Sequence, residues 1–419
     1  MAPVPEAPLL SAPADGIPDV VTTPEALAEV VAAFSAGTGP VAVDAERASG
    51  YRYGQRAFLV QLRRAGAGTA LVDPDALPDL SSLGEALTGT EWVLHAANQD
   101  LPCLAEVGMR PTTLFDTELG SRLAGLPRVG LGAVVEEFLG IRLAKEHSAV
   151  DWSTRPLPEP WLNYAALDVE VLLELRDALA ARLAEQGKLA WAEEEFAAVV
   201  DTPPLTPPAE PWRRVSGLHV VRSRRQLAVV RELWLARDAE ARRRDTSPGR
   251  LLPDSSIVAA ARAVPTTPQA LAATPGFVGR AARSALGTWA AAVERGLAVP
   301  EAELPLHAAR GDGPPPPRTW AAKHPAAAAR LAAGRAVVTA LAEEHGLPVE
   351  NLLQPDALRR LAWSPPADAD ADAVAAALRA SRARRWQVEL VAAPLAEAFA
   401  SAGDGAPAPP DEAETAYLP

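Results

Sequence analysis

Two proline-rich stretches divide this chain of 419 residues, which contains 41 prolines. They are "DTPPLTPPAEPW" at 201–212 and "VPEAELPLHAARGDGPPPPRT" at 299–319. Proline fixes φ and has no backbone N–H, so such runs favour linkers over helices or central strands. The predicted parts are a disordered arm at 1–20, an α/β domain at 21–200, a linker at 201–212, a helical domain at 213–298, a linker at 299–319, a second helical domain at 320–400 and a disordered tail at 401–419.

The first part carries short apolar runs that predict strands. "GPVAVDAE", "RAFLVQLRRA" and "GTALVDPD" are followed by "EWVLHAA", from which the chain enters a helix at "NQDLPCLAEVG". "TTLFDTELGSRLAG" repeats this strand-to-helix pattern, and "EPWLNYAALDVEVLLELRDALAARLAEQG" predicts a long helix that breaks at most once. Strands in a group, followed by strand–helix alternation, predict a mixed sheet flanked by helices.

The two later parts contain no convincing strand and are predicted to be all-helical. "LLPD" at 251–254 and "LLQPD" at 352–356 occupy similar places in the two segments, each behind a leucine and an arginine. The segments are therefore interpreted as two copies of one small helical domain. Chance similarity in alanine-rich sequence is the alternative.

Two carboxylates, Asp44 and Glu46, follow the first apolar strand with one residue between them. Side chains alternate along a strand, so both would lie on one face, where like charges repel unless a cation separates them. Asp100 begins a helix after a strand, and Asp168 lies on the long helix four residues after Tyr164, on the same helix face. Each feature alone also occurs by chance, but together they are candidates for a metal site.

Composition limits the remaining choices. The net charge of −13 argues against a protein that coats nucleic acid by charge alone, but not against an enzyme that meets it at one site. Arginines cluster at 222–244 and 379–386, as nucleic-acid contacts or as solvated helix faces. A single cysteine, Cys103, excludes an internal disulfide framework and fits a reducing cytosol. No secretory signal or apolar membrane span is expected, and the predicted location is the cytoplasm.

The motifs resemble those of a known family. "VAVDAE", "LHAANQDLPCL" and "YAALD" look like the three motifs of the DEDD exonuclease superfamily, in its tyrosine subgroup. The segment that leads into the third motif is similar to that of ribonuclease D, and its matching residues are Lys145, Asp151, Trp152, Arg155, Pro156 and Leu157. Both helical segments resemble the helicase-and-RNase-D C-terminal (HRDC) domain. The resemblance covers about residues 22–400 and implies a ribonuclease H-like α/β exonuclease domain followed by two HRDC-like domains.

The resemblance also implies a catalytic site of Asp44, Glu46, Asp100, Tyr164 and Asp168. The four acids would hold two divalent ions, Mg²⁺ or Mn²⁺, which are suited to oxygen ligands. Asp44, Glu46 and Asp168 would hold one ion, and Asp44 and Asp100 the other. Tyr164 would orient the attacking water, because its ordinary pKa of about 10 makes it a poor base.

Four further residues are expected to bind substrate, each with a structural alternative: Arg47, Gln61, His95 and Arg155. The structural alternative for His95 and Gln61 is support of the sheet, and Arg155 either holds a phosphate or caps a loop through Asp151. The family often has an aromatic residue at position 47. Because arginine stands there, the group that stacks on the terminal base is expected to be Arg47 itself or one of Tyr51, Tyr53 and Phe58. Trp152 is expected to be a packing anchor.

The predicted function is a 3′→5′ exoribonuclease that trims single-stranded RNA 3′ ends, with transfer-RNA precursors as the expected substrates. The chain is expected to act as a monomer and to bind no membrane. A 3′→5′ DNA exonuclease is the nearest alternative, because the same site can hydrolyse either backbone. A nucleic-acid-binding protein with an idle site is the alternative from another class.

Overall fold

The computed structural model of the chain describes residues 7–144, 149–203, 208–307 and 313–402; Lys145 lies outside them. The strands are β1 (Leu9–Leu10), β2 (Val20–Val21), β3 (Thr38–Arg47), β4 (Ala57–Ala65), β5 (Gly68–Val72), β6 (Glu91–Leu94), β7 (Thr113–Asp116) and β8 (Arg142–Leu143). The helices of the α/β part are α1 (Pro24–Ala36), α2 (Ser81–Ala86), α3 (Leu101–Glu106), α4 (Thr117–Leu123), α5 (Leu131–Leu139), α6 (Glu159–Glu170), α7 (Leu172–Glu185) and α8 (Leu189–Val200).

Six strands form one mixed sheet in the order β2-β5-β4-β3-β6-β7, which confirms the predicted architecture. β4 runs antiparallel to β3 and β5, and the other neighbours are parallel. β3 pairs with β4 from Val41 to Arg47 but with β6 only at Val41 and Ala42. The later residues of β3 therefore have a strand on one side only, and a gap opens on the other side.

The predicted long helix breaks once, between α6 and α7 at Val171. α6 packs against β3, β4 and β5, and its buried residues include Ala165, Ala166 and Val169. α6 therefore lies on a face of the sheet, and its Tyr164 and Asp168 line one cleft with Asp44 and Glu46 of β3.

The N-terminal segment from residue 7 to residue 20 is ordered, so the predicted disordered arm is wrong over that range. β1 pairs with β8 in parallel. The Asn163 side-chain amide donates to the Ser11 carbonyl at 2.8 Å, and Arg63 lies 3.2 Å from Asp15. The contacts come from residues far away in the sequence, and a proline- and alanine-rich composition carries no sign of them.

The first helical part has a hydrophobic core of its own. Its helices are α9 (Arg224–Arg244), α10 (Pro248–Leu251), α11 (Asp254–Ala263), α12 (Pro268–Ala272), α13 (Arg280–Arg283) and α14 (Leu286–Ala298). Both predicted linkers contribute to this part, so their boundaries need correction. Trp212 is buried in its core, and Arg224 donates to the Leu304 carbonyl at 2.7 Å.

The second helical part shares one continuous hydrophobic core with the α/β part. Its helices are α15 (Trp320–Lys323), α16 (Pro325–Glu344), α17 (Val349–Leu352), α18 (Pro355–Trp363), α19 (Ala371–Ala380) and α20 (Arg385–Ala402). Trp191 of α8 stacks on Trp386 of α20 with ring centroids 4.9 Å apart, and the Trp386 indole donates to Glu195 at 3.2 Å. Despite the linker before it, this segment is not an independent body.

Each helical part contains a long helix followed by a short one. These are α9 and α10 in the first part, and α16 and α17 in the second. The short helices α10 and α17 both end in an extended leucine, with φ −152° and ψ 104° at Leu252 and φ −151° and ψ 126° at Leu353. These leucines belong to the two "LL" motifs of the sequence, and the repeat itself stays a prediction.

The loop between β3 and β4, residues 48–56, docks on the first helical part and is called the docking loop below. Asp245 follows α9 and accepts hydrogen bonds from both terminal nitrogens of Arg56, at 3.1 and 3.0 Å, and from the Tyr53 backbone N–H at 3.3 Å. Arg250 donates to the Gly50 carbonyl at 2.7 Å and lies 4.0 Å from the ring centre of Tyr51. Polar and cation–π contacts thus dominate this junction.

Two glycines of α14 provide a matched test of packing in the first helical part. A Cβ at Gly296 would lie 2.7 Å from the Val229 Cα on α9, whereas one at Gly287 would meet nothing within 4 Å. Gly296→Ala is expected to lower the free energy of unfolding by about 1–3 kcal/mol, because two helix backbones must separate. Gly287→Ala should leave it unchanged or raise it by less than about 1 kcal/mol. Urea unfolding followed by circular dichroism measures both, and equal stabilities would contradict this packing.

Candidate active site

Three carboxylates converge where β3 loses its second neighbour. Asp44 and Glu46 lie two residues apart on β3, and Asp168 comes from α6. One ligand oxygen from each lies within 4.8 Å of the others. Tyr164 lies one helical turn before Asp168 and is hydrogen-bonded to it. The structure therefore brings together the strand pair and the helix pair that the sequence singled out.

Asp100 reaches the same cleft from a turn after β6. The chain passes through a left-handed residue, Ala96 (φ 61°, ψ 53°), and a short 3₁₀ turn before α3 begins. Asp116, at the end of β7, holds this turn by accepting hydrogen bonds from the N–H groups of Ala96 and Ala97 at 3.0 and 2.9 Å. The same carboxylate caps α4 through Glu118 and Leu119.

Sequence reasoning did not select Asp116, although its position before the helix "TELGSRL" is a signal for an N-cap. It is buried and does not line the cleft. Asp116 is therefore a positioning residue, since it fixes the backbone from which Asp100 projects.

Burial raises the pKa of all four cleft acids, and repulsion by neighbouring acids adds to this for Glu46, Asp100 and Asp168. Burial is the largest cause for each, and it raises the pKa of Asp100 to about 8. The pKa of Glu46 rises well above its usual value, first through burial and then through Asp44, Asp168 and Asp100. The pKa values of Asp44 and Asp168 also rise. Ionised together, these groups need compensating positive charge.

The cluster fits divalent metal ions. Its donors are carboxylate oxygens, the ligands that hard cations prefer, and they converge on one point from two elements. Bound cations would favour the ionised form of each acid and reverse the unfavourable repulsion. The acidic cluster thus indicates divalent metal use.

The cluster lines a cleft of about 870 Å³. Its walls also include Arg47, His95 and the segment Val129–Gly132. Arg47 lies 3.4 Å from the Asp100 carboxylate. His95 Nδ1 lies 2.9 Å from the Thr117 hydroxyl, and burial lowers the pKa of His95 to about 4. His95 is therefore neutral at pH 7 and available for hydrogen bonding, whereas the phenol of Tyr164, with a pKa raised by burial, stays protonated.

Two of the predicted substrate-binding residues do not line the cleft. Gln61 lies opposite Asp44 in the β3–β4 pairing and is 0% exposed. Arg155 donates two hydrogen bonds of 2.7 Å to Asp73 and one of 2.8 Å to the Phe58 carbonyl. The structure thus favours the loop-holding alternative for Arg155, with Asp73 in place of the expected Asp151 as its partner.

The aromatic candidates for base stacking also have other partners. Tyr51 packs against Arg250, and the Tyr53 hydroxyl donates to Asp238 at 3.1 Å, both on the first helical part. Phe58 is 2% exposed. Of the four proposed stacking groups, Arg47 alone lines the cleft among the described residues. Trp152 is fully buried beside Trp161 and Tyr164, as expected for a packing anchor.

The raised pKa of Asp100 predicts how stability depends on pH without metal. The folded protein holds this proton up to about pH 8, while the unfolded chain loses it near pH 4. The unfolded chain therefore binds fewer protons between these values, so stability falls as pH rises through this window. Urea unfolding in EDTA at pH 5 and pH 8 should show the fall, and Asp100→Asn should make it shallower. An equally steep fall in the variant would contradict the assignment to Asp100.

Comparison with known proteins agrees with this geometry. Residues 18–184 match a family model described as a 3′-5′ exonuclease, and residues 226–293 match the HRDC domain. Residues 313–399 match a different model, described as a 3′ to 5′ exonuclease C-terminal domain. The second helical part is thus all-helical as predicted, but its matching model is not the HRDC model.

Relatives cover most of the chain. Ribonuclease D of Gluconacetobacter diazotrophicus is 33% identical over 84% of this chain and 88% of its own. A crystal structure of a protein from Bifidobacterium adolescentis has a TM-score of 0.87 and 39% identity, and covers 94% of this chain and 100% of its own. That of Escherichia coli RNase D, described as an exoribonuclease involved in structured RNA processing, has a TM-score of 0.67 and 26% identity over 91% and 98%. The chain therefore belongs to the ribonuclease D family.

Proposed function

We propose that this enzyme, a 3′→5′ exoribonuclease, shortens single-stranded RNA ends with the help of two divalent ions, Mg²⁺ or Mn²⁺. The observation that carries the proposal is the convergence of Asp44, Glu46 and Asp168 within 4.8 Å. Asp100 lines the same cleft. A metal pair can stabilise both the attacking and the leaving oxygen of an in-line displacement at phosphorus.

Each residue has a defined role in this proposal. Asp44, Glu46 and Asp168 would hold one ion beside the attacking water, and Asp44 and Asp100 the other beside the leaving 3′ oxygen. The Tyr164 hydroxyl would orient the water. Its raised pKa keeps it protonated, so it can donate or accept a hydrogen bond but does not act as a strong base. Attack on the last phosphodiester breaks the P–O3′ bond and releases one nucleoside 5′-monophosphate.

The substrate-binding roles rest on placement in the cleft. Arg47 and His95 line it and are the candidates for contacts with the terminal nucleotides. The guanidinium plane of Arg47 can stack on a base or pair with a phosphate. Gln61 lies beside Asp44, on the neighbouring strand β4, and its role would be to support β3.

RNA processing is the favoured biological setting. Escherichia coli RNase D, with the same fold across most of this chain, is described as acting in structured RNA processing. The first helical part contacts the docking loop, and its helix α9 carries Arg242, whose side chain is 71% exposed.

We propose transfer-RNA precursors as substrates and a monomer in the cytoplasm as the working form. No helix of the described ranges is long and apolar enough to cross a bilayer.

A labelled-substrate assay tests the activity. The protein is incubated with 5′-labelled single-stranded RNA, or with DNA of the same sequence, in Mg²⁺, Mn²⁺ or EDTA. We expect a ladder that shortens from the RNA 3′ end with metal and disappears with EDTA. A ladder on DNA alone would point to a DNA exonuclease, and no ladder on either would leave a binding protein.

Variants of the same assay separate the roles. Asp44→Asn should abolish the ladder, because Asp44 contributes to both ions, whereas Asp79→Asn, at an exposed carboxylate outside the cleft, should match the wild type. Tyr164→Phe should lower kcat by about 100-fold or more, the usual scale for a positioned proton-transfer or water-orienting group, with little change in KM. Wild-type activity in Asp44→Asn would contradict the proposed site.

A further inference from the structure

The four acids of the cleft differ in the charged groups that lie next to them. Asp44, Glu46 and Asp168 form a compact group whose ligand atoms lie within 4.8 Å of one another. Asp100 does not belong to that group and instead faces the Arg47 guanidinium at 3.4 Å. One metal position is thus assembled, while the carboxylate needed for a second one already has a cationic partner.

Arg47, the last residue of β3, lines the cleft. Strict alternation along β3 would direct the side chains of Glu46 and Arg47 to opposite faces. The β3–β4 pairing shifts register between them, because Glu46 pairs with Leu59 and Arg47 with Ala57, which leaves Phe58 as an extra residue. The extra residue lies on β4, opposite the end of β3, and both Glu46 and Arg47 line the cleft.

We propose that Arg47 keeps the second metal position closed by occupying Asp100. Its guanidinium stays against the Asp100 side chain, at 3.4 Å, until a divalent ion displaces it, so that ions enter in order, first at Asp44, Glu46 and Asp168 and then at Asp100. The inference rests on the proposed two-ion function and adds a control of its metal loading.

The physical reason is competition for one carboxylate. The side chain of Asp100 is 7% exposed and that of Arg47 25%, so solvent screens their attraction only partly. A divalent ion at Asp100 would repel the guanidinium, and its binding must therefore include the cost of separating Arg47 from Asp100. An RNA phosphate lowers that cost, because it offers the displaced guanidinium a new anionic partner. Substrate and second ion then favour each other's binding.

Manganese titration of the full chain tests this, with Mn²⁺ followed by electron paramagnetic resonance and by calorimetry without RNA. The wild type should bind one ion tightly and a second more weakly. In Arg47→Gln the second ion should bind about ten-fold more tightly, equivalent to about 1.4 kcal/mol. The first ion should change by less than about three-fold, the scale of a general charge effect.

Matched variants isolate the ion pair. Arg47→Lys retains the positive charge and should stay close to the wild type. Arg110→Gln removes an exposed charge outside the cleft lining and should leave both affinities unchanged. Arg47→Ala is measured beside Arg47→Gln so that either folded variant, checked by circular dichroism, gives the answer.

The outcomes separate this inference from the proposed function. A wild type that binds no Mn²⁺ contradicts the metal-dependent function itself. Two bound ions with an unchanged second affinity in Arg47→Gln and Arg47→Ala overturn only the role of Arg47. Equal tightening of both ions also overturns it, because removal of any nearby positive charge would then explain the result. Selective tightening of the second ion supports it.

Discussion

The packing of α6 across β3 is the constraint on which the site depends. α6 lies over β3, β4 and β5, and it brings Asp168 to Asp44 and Glu46 of β3. After Ala42 the strand β3 keeps β4 as its neighbour but loses β6, and the turn that follows β6 carries Asp100 to the same cleft. The crowding of the four acids thus arises where the strand, the helix and the turn meet.

The sequence predicts the parts of the site that depend on local periodicity. The two-residue spacing of Asp44 and Glu46 and the four-residue spacing of Tyr164 and Asp168 decide which side chains share a face, and the structure places both pairs as expected. Contacts across long sequence separations could not be predicted in this way. Arg155 could be recognised as a fork for an anion, but its partner, Asp73, is 82 residues away. The pairing of β1 with β8 could not be predicted for the same reason, because these strands are far apart in the sequence.

The two helical parts are attached to the α/β part by different physical means. The second shares its hydrophobic core, with Trp191 stacked on Trp386 and the Lys188 ammonium donating to the Leu123 and Gly346 carbonyls at 2.9 and 3.4 Å. The first is held at the docking loop by Asp245 and the arginines around it, in contacts that salt can screen. Composition alone did not distinguish them, because both follow a proline-rich segment and both are rich in alanine and arginine.

The docking loop connects the first helical part to β3, the strand that carries two of the cleft acids. It begins one residue after Arg47, whose side chain contacts Asp100, and its far end is fixed by the bond from Arg56 to Asp245. The docking loop therefore links the end of β3, at Arg47, to the end of α9, at Asp245. Under the proposed function, RNA contacts on the first helical part and metal ions in the cleft would be connected by this one segment of chain.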